Sequence, residues 1–305
     1  MQASITIQDR VLGCLFGGAL GDAWGGPFEG STGPVRFEIP ARPVLSDDTQ
    51  FTVATCESII QHGGVAPERL ASHFLSWFLR GRLRGMGSST LKAMRDLAAG
   101  AHWALAGAHG EYAAGSGAAM RIAPLAFLLD PADPGDRTMI RDVCRITHHN
   151  DEAYVGALAV ALALRSALTG RWSQPRSFLS EVIDQLPDSA VRDRVEEMHP
   201  LNLPPSEVAR RFGASGHVVD TVPLALVCAQ SIAGQPLPVV LSEAIHAGGD
   251  TDTIASITGQ LAGTVVGTAG VPHELFADIN DFEEVARVAQ DFAEFVGRRN
   301  PETRP

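Results

Sequence analysis

Two short acidic clusters are the residues of this 305-residue chain best equipped for chemistry. The first is Ser46-Asp47-Asp48-Thr49, the second Gly248-Gly249-Asp250-Thr251-Asp252-Thr253, and each stands directly ahead of an apolar run with helical spacing. Each has an ordinary structural explanation. Ser46 or Asp250 caps a helix, and carboxylates in a first turn complement the helix dipole. Taken together, they offer four carboxylates with hydroxyls alongside and no Cys or His in their company. Such an all-oxygen set suits a hard octahedral cation, Mg²⁺ or Mn²⁺, over zinc or copper. Two carboxylates two apart inside a helix diverge, so Asp250 and Asp252 converge only with Asp250 outside the helix and Asp252 in its first turn. The preceding glycines permit that geometry. Were the clusters to meet, each carboxylate pair at 4 Å would repel by about 4 kcal/mol at an effective dielectric of 20. A pair of divalent ions would remove that penalty. Spacing alone does not bring the clusters together.

Three further segments carry weaker signals. Gly21-Asp22-Ala23-Trp24-Gly25-Gly26-Pro27-Phe28-Glu29 ends a helical run, and Glu29 follows in a loop, where a solvated carboxylate is the plain alternative to a functional one. Gly115-Ser116-Gly117-Ala118-Ala119-Met120-Arg121 is a glycine loop entering a helix, and the free N–H groups of a helix start suit a phosphate, although such turns are common. Thr147-His148-His149-Asn150-Asp151 stands at a helix junction, where a histidine is more often a cap or surface residue than a catalytic group.

The elements that must position these residues are helical. Apolar residues recur with helical spacing around 11–20 and 51–60, and again near 67–80, 89–106, 117–129, 138–148, 152–168, 176–186, 218–233, 238–246, 252–268 and 282–298. Alternating strands are missing, and 6% aromatic residues is low for a β-protein. Pro67 near a helix start, Ser206 as a cap, and glycines at 63–64, 170 and 248–249 as stops complete an all-α reading. The Pro- and charge-rich stretch 187–205 is the best linker candidate, yet acidic motifs lie on both sides of it. The chain therefore reads as one domain, 1–305. From Thr253 to His273 it carries no Lys, Arg, Asp or Glu, and Gly259, Gly263 and Gly267 recur at every fourth position. Ser, Thr, Gln and glycine dilute its hydrophobicity below that of a membrane span. It reads instead as a central helix whose small residues admit close neighbours. Val11-Leu12-Gly13-Cys14 is similar to a lipoprotein cleavage box but follows no apolar run. The four scattered cysteines fit a reducing compartment, so a cytoplasmic location is expected. Thirty-five acidic against 24 basic residues give a formal charge of −11, which argues against nucleic-acid and membrane-surface partners.

In this order, Gly21-Asp22-Ala23…Glu29, Ser46-Asp47-Asp48-Thr49, Gly115 to Arg121, Thr147-His148 and Gly248 to Thr253 resemble the ADP-ribosylglycohydrolase family, over residues 8 to 270. The resemblance implies a compact single-domain orthogonal helical bundle with a centre of two Mg²⁺ (or Mn²⁺) at the mouth of an ADP-ribose cleft. Its metal ligands would be Ser46, Asp47, Asp48, Asp250, Asp252 and Thr253. Asp22, the Gly115-Ser116-Gly117 loop, Met120 and His148 would contact substrate, and Glu29 would lie nearest the scissile bond. The family's loop usually reads Gly-Asn-Gly, so Ser116 removes an amide donor beside the phosphates. The reaction implied is hydrolysis of the bond between ADP-ribose and a protein side chain, arginine first, by a monomer, on an ADP-ribosylated protein or a small ADP-ribosyl compound. Glu29 and Asp47 are the candidate proton-transfer groups. ADP-ribosyl-serine or an ADP-ribose ester is an alternative substrate. The rival classes are a non-catalytic ADP-ribose-binding or immunity protein and a metal-dependent phosphoesterase cutting the pyrophosphate.

Overall fold

The computed structural model describes residues 5–170, 172 and 177–299. Fourteen α-helices lie among the described residues: α1 (Ile7–Gly25), α2 (Asp47–His62), α3 (Pro67–Leu79), α4 (Ser88–Ala98), α5 (Ala123–Ala126), α6 (Pro134–Arg145), α7 (Asp151–Leu168), α8 (Ser177–Gln185), α9 (Ala190–Met198), α10 (Pro205–Phe212), α11 (Val218–Gln230), α12 (Leu237–His246), α13 (Thr251–Val266) and α14 (Phe282–Arg299). Among the described residues the strands form one parallel pair of two residues each, β1 (Ala108–His109) and β2 (His148–His149). The all-α expectation holds. None of the helices is long and apolar enough to cross a membrane.

Helices α1, α7 and α13 are buried on nearly every face, the mark of core helices rather than surface ones. Helix α14 keeps one buried stripe, Val285, Val288, Phe292 and Val296, and packs it on α1 and α2. The closest pairing in the molecule joins α1 and α13, antiparallel, along glycines four residues apart. Gly13 lies on Gly263 and Gly17 on Gly259, and a Cβ on any of the four would overlap the facing backbone carbonyl. Gly21 meets Ala255, and Gly25 meets Thr251 and Asp252, in the same register. Small residues thus let two backbones touch, as expected for the uncharged run, but its partner stripe on α1 was not visible in the sequence until the two were side by side. This register carries the C-terminal turn of α1, with Asp22, against the first turn of α13, with Asp252.

Several boundaries differ from the sequence expectation. Helix α4 stops at Ala98, where Gly100 takes a left-handed conformation (φ 90°), instead of running to 106. The expected 117–129 helix is a 3₁₀ turn, Ser116–Ala118, followed by the four residues of α5, because Pro124 cannot continue the hydrogen-bond ladder. The supposed linker 187–205 contains α9, whose Val191, Val195 and Met198 are buried while its charges face outward. Ser206 is not a cap: Pro204 is the capping residue, and Ser206 lies within α10. The first residue of the expected 176–186 helix lies outside the described residues.

Candidate active site

Both acidic clusters open helices. Ser46 is the N-cap of α2, its Oγ accepting from Asp48 N at 3.2 Å, so Asp47 and Asp48 stand at the first two helical positions. Asp250 occupies the cap position of α13, and its carboxylate makes no cap hydrogen bond to the backbone of that helix. Asp252 then lies in the first turn, the one arrangement in which the two converge. Gly249 makes it possible: at φ 83° its Cα presses against the Ala214 carbonyl, which accepts from Asp250 N at 2.7 Å. A side chain at that position would clash with Ala214.

The two helix starts meet. Thr253 Oγ1, from α13, donates to Asp48 Oδ2, on α2, at 3.2 Å. Carboxylate oxygens of Asp22, Asp48 and Asp252 lie within 4.8 Å of one another, and so do those of Glu29, Asp250 and Asp252. Asp252 thus belongs to both trios. Glu29 is brought there by its loop: Gly30 N donates to the Gly249 carbonyl (2.8 Å) and Gly249 N to that of Ser31 (2.9 Å).

Crowding and burial push the carboxyls away from ionisation. Asp22 and Asp252 rise to about 7 and Asp47 to about 8, burial being the largest cause in each, with neighbouring carboxylates adding to it. Asp48 is driven well above the ordinary range by burial and then by Asp252, and Asp250 is also raised by burial. Glu29, more exposed, is raised first by the charge of Asp252. Asp48 Oδ1 is buried without a hydrogen-bond partner. An orphaned carboxylate oxygen among mutually repelling carboxylates is what a hard cation would satisfy. The donor set therefore fits divalent ions.

These residues belong to a cleft of about 410 Å³, lined by Glu29, Asp47, Asp48, Asp250, Asp252 and Thr253 together with Gly115, Ser116, Gly117, Met120 and His148. That volume is in the range of small-molecule sites. The glycine loop lies flat on the imidazole: a Cβ at Gly117 would sit 2.9 Å from His148 Cε1, and one at Gly115 3.1 Å from Nε2. Ser116 turns its hydroxyl to Asp250 Oδ2 (3.3 Å), a contact with the acidic floor. His148, 3% exposed, is held neutral, its pKa lowered to about 3 by burial and then by the charge of Arg121.

Asp22, expected to contact substrate, is fully buried and is not among the residues that line the cleft. Its carboxylate instead accepts from Ser46 N, Thr49 N and Thr49 Oγ1, at 3.1 to 3.2 Å from the two amides and 2.5 Å from the hydroxyl. Asp22 ties the end of α1 to the first turn of α2. Several groups escaped the sequence reading, among them Ser88, Ser89, Thr90 and Glu111 in the cleft lining. Thr221 in α11 donates its buried hydroxyl to the Ser215 carbonyl at 2.7 Å and sets its Oγ1 3.3 Å from Asp250 Oδ2. Tyr112 (89% exposed) and His217 stand on the cleft rim. None carries a sequence signal beyond lying near a glycine. His217 arrives because Ser116 N donates to the Gly216 carbonyl and Val218 N to that of Ala114, which stitches the start of α11 to the glycine loop.

The ADP-ribosylglycohydrolase family model matches residues 3–302. The chain belongs to the ADP-ribosylglycohydrolase family. ADP-ribosylhydrolase ARH3 of Danio rerio is 27% identical, over 88% of this glycohydrolase and 86% of the relative. ADP-ribosylarginine hydrolase Tri1 of Pseudomonas putida is 25% identical, over 93% of this chain and 77% of that one. A solved "ADP-ribosylglycohydrolase-related protein complex" superposes with a TM-score of 0.67 at 26% identity, covering 95% of this glycohydrolase and 99% of that chain. The protein is thus an ADP-ribosylglycohydrolase, a hydrolase that removes ADP-ribose.

Proposed function

We propose that this ADP-ribosylglycohydrolase uses two divalent ions, Mg²⁺ or Mn²⁺, to release ADP-ribose from arginine side chains, cleaving the bond between C1″ of the ribose and the guanidine nitrogen. The observation that carries the reading is the convergence of Asp47, Asp48, Asp250 and Asp252 on the floor of one cleft, with Asp48 Oδ1 left unpaired. Ser46, Asp47, Asp48, Asp250, Asp252 and Thr253 are the candidate ligands, and Asp22 holds them in register from behind. When bound, the ions would lower the pKa of a water and offset charge in the transition state.

The residues of the chain do the remaining work. The Gly115–Gly117 loop, Met120 and His148 bind the ADP-ribose along the cleft wall. Ser116, engaged with Asp250, joins that wall to the acidic floor. Glu29 is the exposed carboxyl of its trio and its pKa is raised, so it is suited to carry a proton to the departing nitrogen as C1″ gains the water oxygen. Asp47 faces the cleft from the first position of α2 and is the second proton-handling candidate. A departing guanidine at this acidic mouth, in a chain of net charge −11, meets complementary charge. Similarity to an ADP-ribosylarginine hydrolase supports the same linkage. Similarity to ADP-ribosylhydrolase ARH3, whose name specifies no linkage, leaves ADP-ribose on serine or in an ester as the second reading. The whole chain is read as one domain acting as a cytoplasmic monomer.

The test is release of ADP-ribose from arginine-linked and serine-linked substrates, with Mg²⁺ and with EDTA. Metal-dependent release from the arginine linkage alone is expected. Release from serine alone would move the proposal to the second reading, and release undiminished by EDTA would remove the metals from it.

A further inference from the structure

Beneath the cleft lies a charged group that the reaction does not account for. Arg121 is 1% exposed, beside the edge-to-face pair Phe51 and Phe74, with its guanidinium carbon 5.6 and 5.4 Å from their centroids. No carboxylate pairs with it among the described residues. Its Nη1 donates to the Gly117 carbonyl, and its Nη2 to Thr147 Oγ1 at 2.8 Å and to the Val143 carbonyl at 3.5 Å. Its Nε is buried without a partner. A buried guanidinium is expensive to keep. Two of its acceptors belong to the walls around one imidazole: Gly117 lies against His148, and Thr147 is hydrogen-bonded to it.

The Thr147 hydroxyl is fully buried and has two neighbours, Arg121 Nη2 and His148 Nδ1, the second at 2.7 Å. Arginine only donates, so Thr147 Oγ1 accepts from Arg121 and retains one proton to give. His148 Nδ1 is the acceptor within reach. The opposite arrangement, with Nδ1 protonated, would aim two donors at one hydroxyl and strand its own proton in the core. The ring proton therefore belongs on Nε2, the nitrogen that lies over Gly115 at the cleft wall and has no hydrogen-bond partner among the described residues.

We propose that Arg121 and Thr147 are positioning residues that lock His148 as the neutral Nε2–H tautomer, a hydrogen-bond donor presented to an acceptor oxygen of the bound ADP-ribose. The tautomer follows from the geometry of the free protein; its use in binding rests on the glycohydrolase reading. A lock of this kind offers a directional donor without placing a second cation beside Arg121, and burial keeps the ring uncharged.

The first experiment is ¹⁵N–¹H NMR of histidine-labelled protein without substrate, with His148 assigned by its loss in His148→Gln. A ring protonated at Nε2 and unprotonated at Nδ1 is expected across pH 6 to 8; a ring protonated at Nδ1 overturns the proposal whatever the enzyme hydrolyses. Thr147→Val should mix the tautomers and raise KM about tenfold, the worth of roughly one hydrogen bond, with kcat changed less than KM. Thr147→Ser should restore both. Arg121→Lys, which cannot span Gly117 and Thr147 together, should move KM and the tautomer in the same direction as Thr147→Val. If Thr147→Val folds and leaves both tautomer and KM unchanged, the positioning role is wrong. Absence of ADP-ribose release by the wild type from every linkage would instead strike the functional reading and leave the NMR result standing.

Discussion

Withdrawing divalent ions while raising pH should destabilise this protein through its acidic floor. The carboxylate oxygens of Asp22, Asp48 and Asp252 approach within 4.8 Å. At an effective dielectric of 20, one ionised pair at that separation costs about 3.5 kcal/mol, and a fully ionised trio about 10 kcal/mol. That is the size of a whole domain's stability. The metal-free floor therefore holds at least two protons near pH 6, those of Asp22 and Asp252 at about 7, with Asp47 (about 8) and Asp48 also raised. Unfolded aspartates titrate near 3.8 and hold none at that pH. The folded state binds more protons between pH 4 and 8, so stability is full below the unfolded pKa and is lost as pH rises through the folded values. Two protons of difference correspond to about 2.7 kcal/mol per pH unit, or roughly 5 °C in melting temperature per unit for a chain of this size. His148 works in the opposite sense: its lowered pKa costs stability as pH falls below the unfolded value of 6.5. It does so with or without metal, so it cancels in the difference between Mg²⁺ and EDTA melts. That difference, measured from pH 5 to 9, should grow with pH. Calorimetric Mg²⁺ titration at pH 6, in buffers of different ionisation enthalpy, should show at least two protons released. Parallel melting curves, or titration without proton release, would refute the metal-floor argument.

Other perturbations should separate the roles. Asp252→Ala removes the carboxylate shared by both trios, and should abolish calorimetric Mg²⁺ binding while raising the melting temperature of the EDTA-treated protein at pH 8. Glu29→Gln should keep ADP-ribose affinity within a few-fold yet lower kcat by about 10² or more; equal loss of both would show that Glu29 only binds. Gly17→Ala drives a methyl into the Gly259 backbone and should cost about 3 kcal/mol in chemical denaturation. It should also weaken Mg²⁺ binding, because the α1–α13 register sets Asp22 against Asp252. Gly64→Ala, which meets nothing within 4 Å, should do neither.

The sequence by itself determined the local events. Helical periodicity, Pro67 at the start of α3 and glycine stops fix where most helices begin and end, because those depend on neighbours along the chain. It also placed Asp47, Asp48 and Asp252 in first turns and left Asp250 outside its helix, since caps and backbone freedom are written in a few consecutive residues. The amphipathic α9 was hidden by the charges on its outer face, and the 117–129 stretch was over-read because its apolar spacing continues across Pro124. Only the tertiary structure decided that the two acidic clusters face one another. That depends on the α1 and α13 glycines meeting at one register out of several four-residue shifts, a choice that no local pattern contains. The same packing withdrew Asp22 from the cleft and supplied Thr221, and it placed Arg121 where its hydrogen bonds reach both the glycine loop and Thr147. Each of these depends on residues distant in sequence competing for one volume, and that competition is settled only when the core closes.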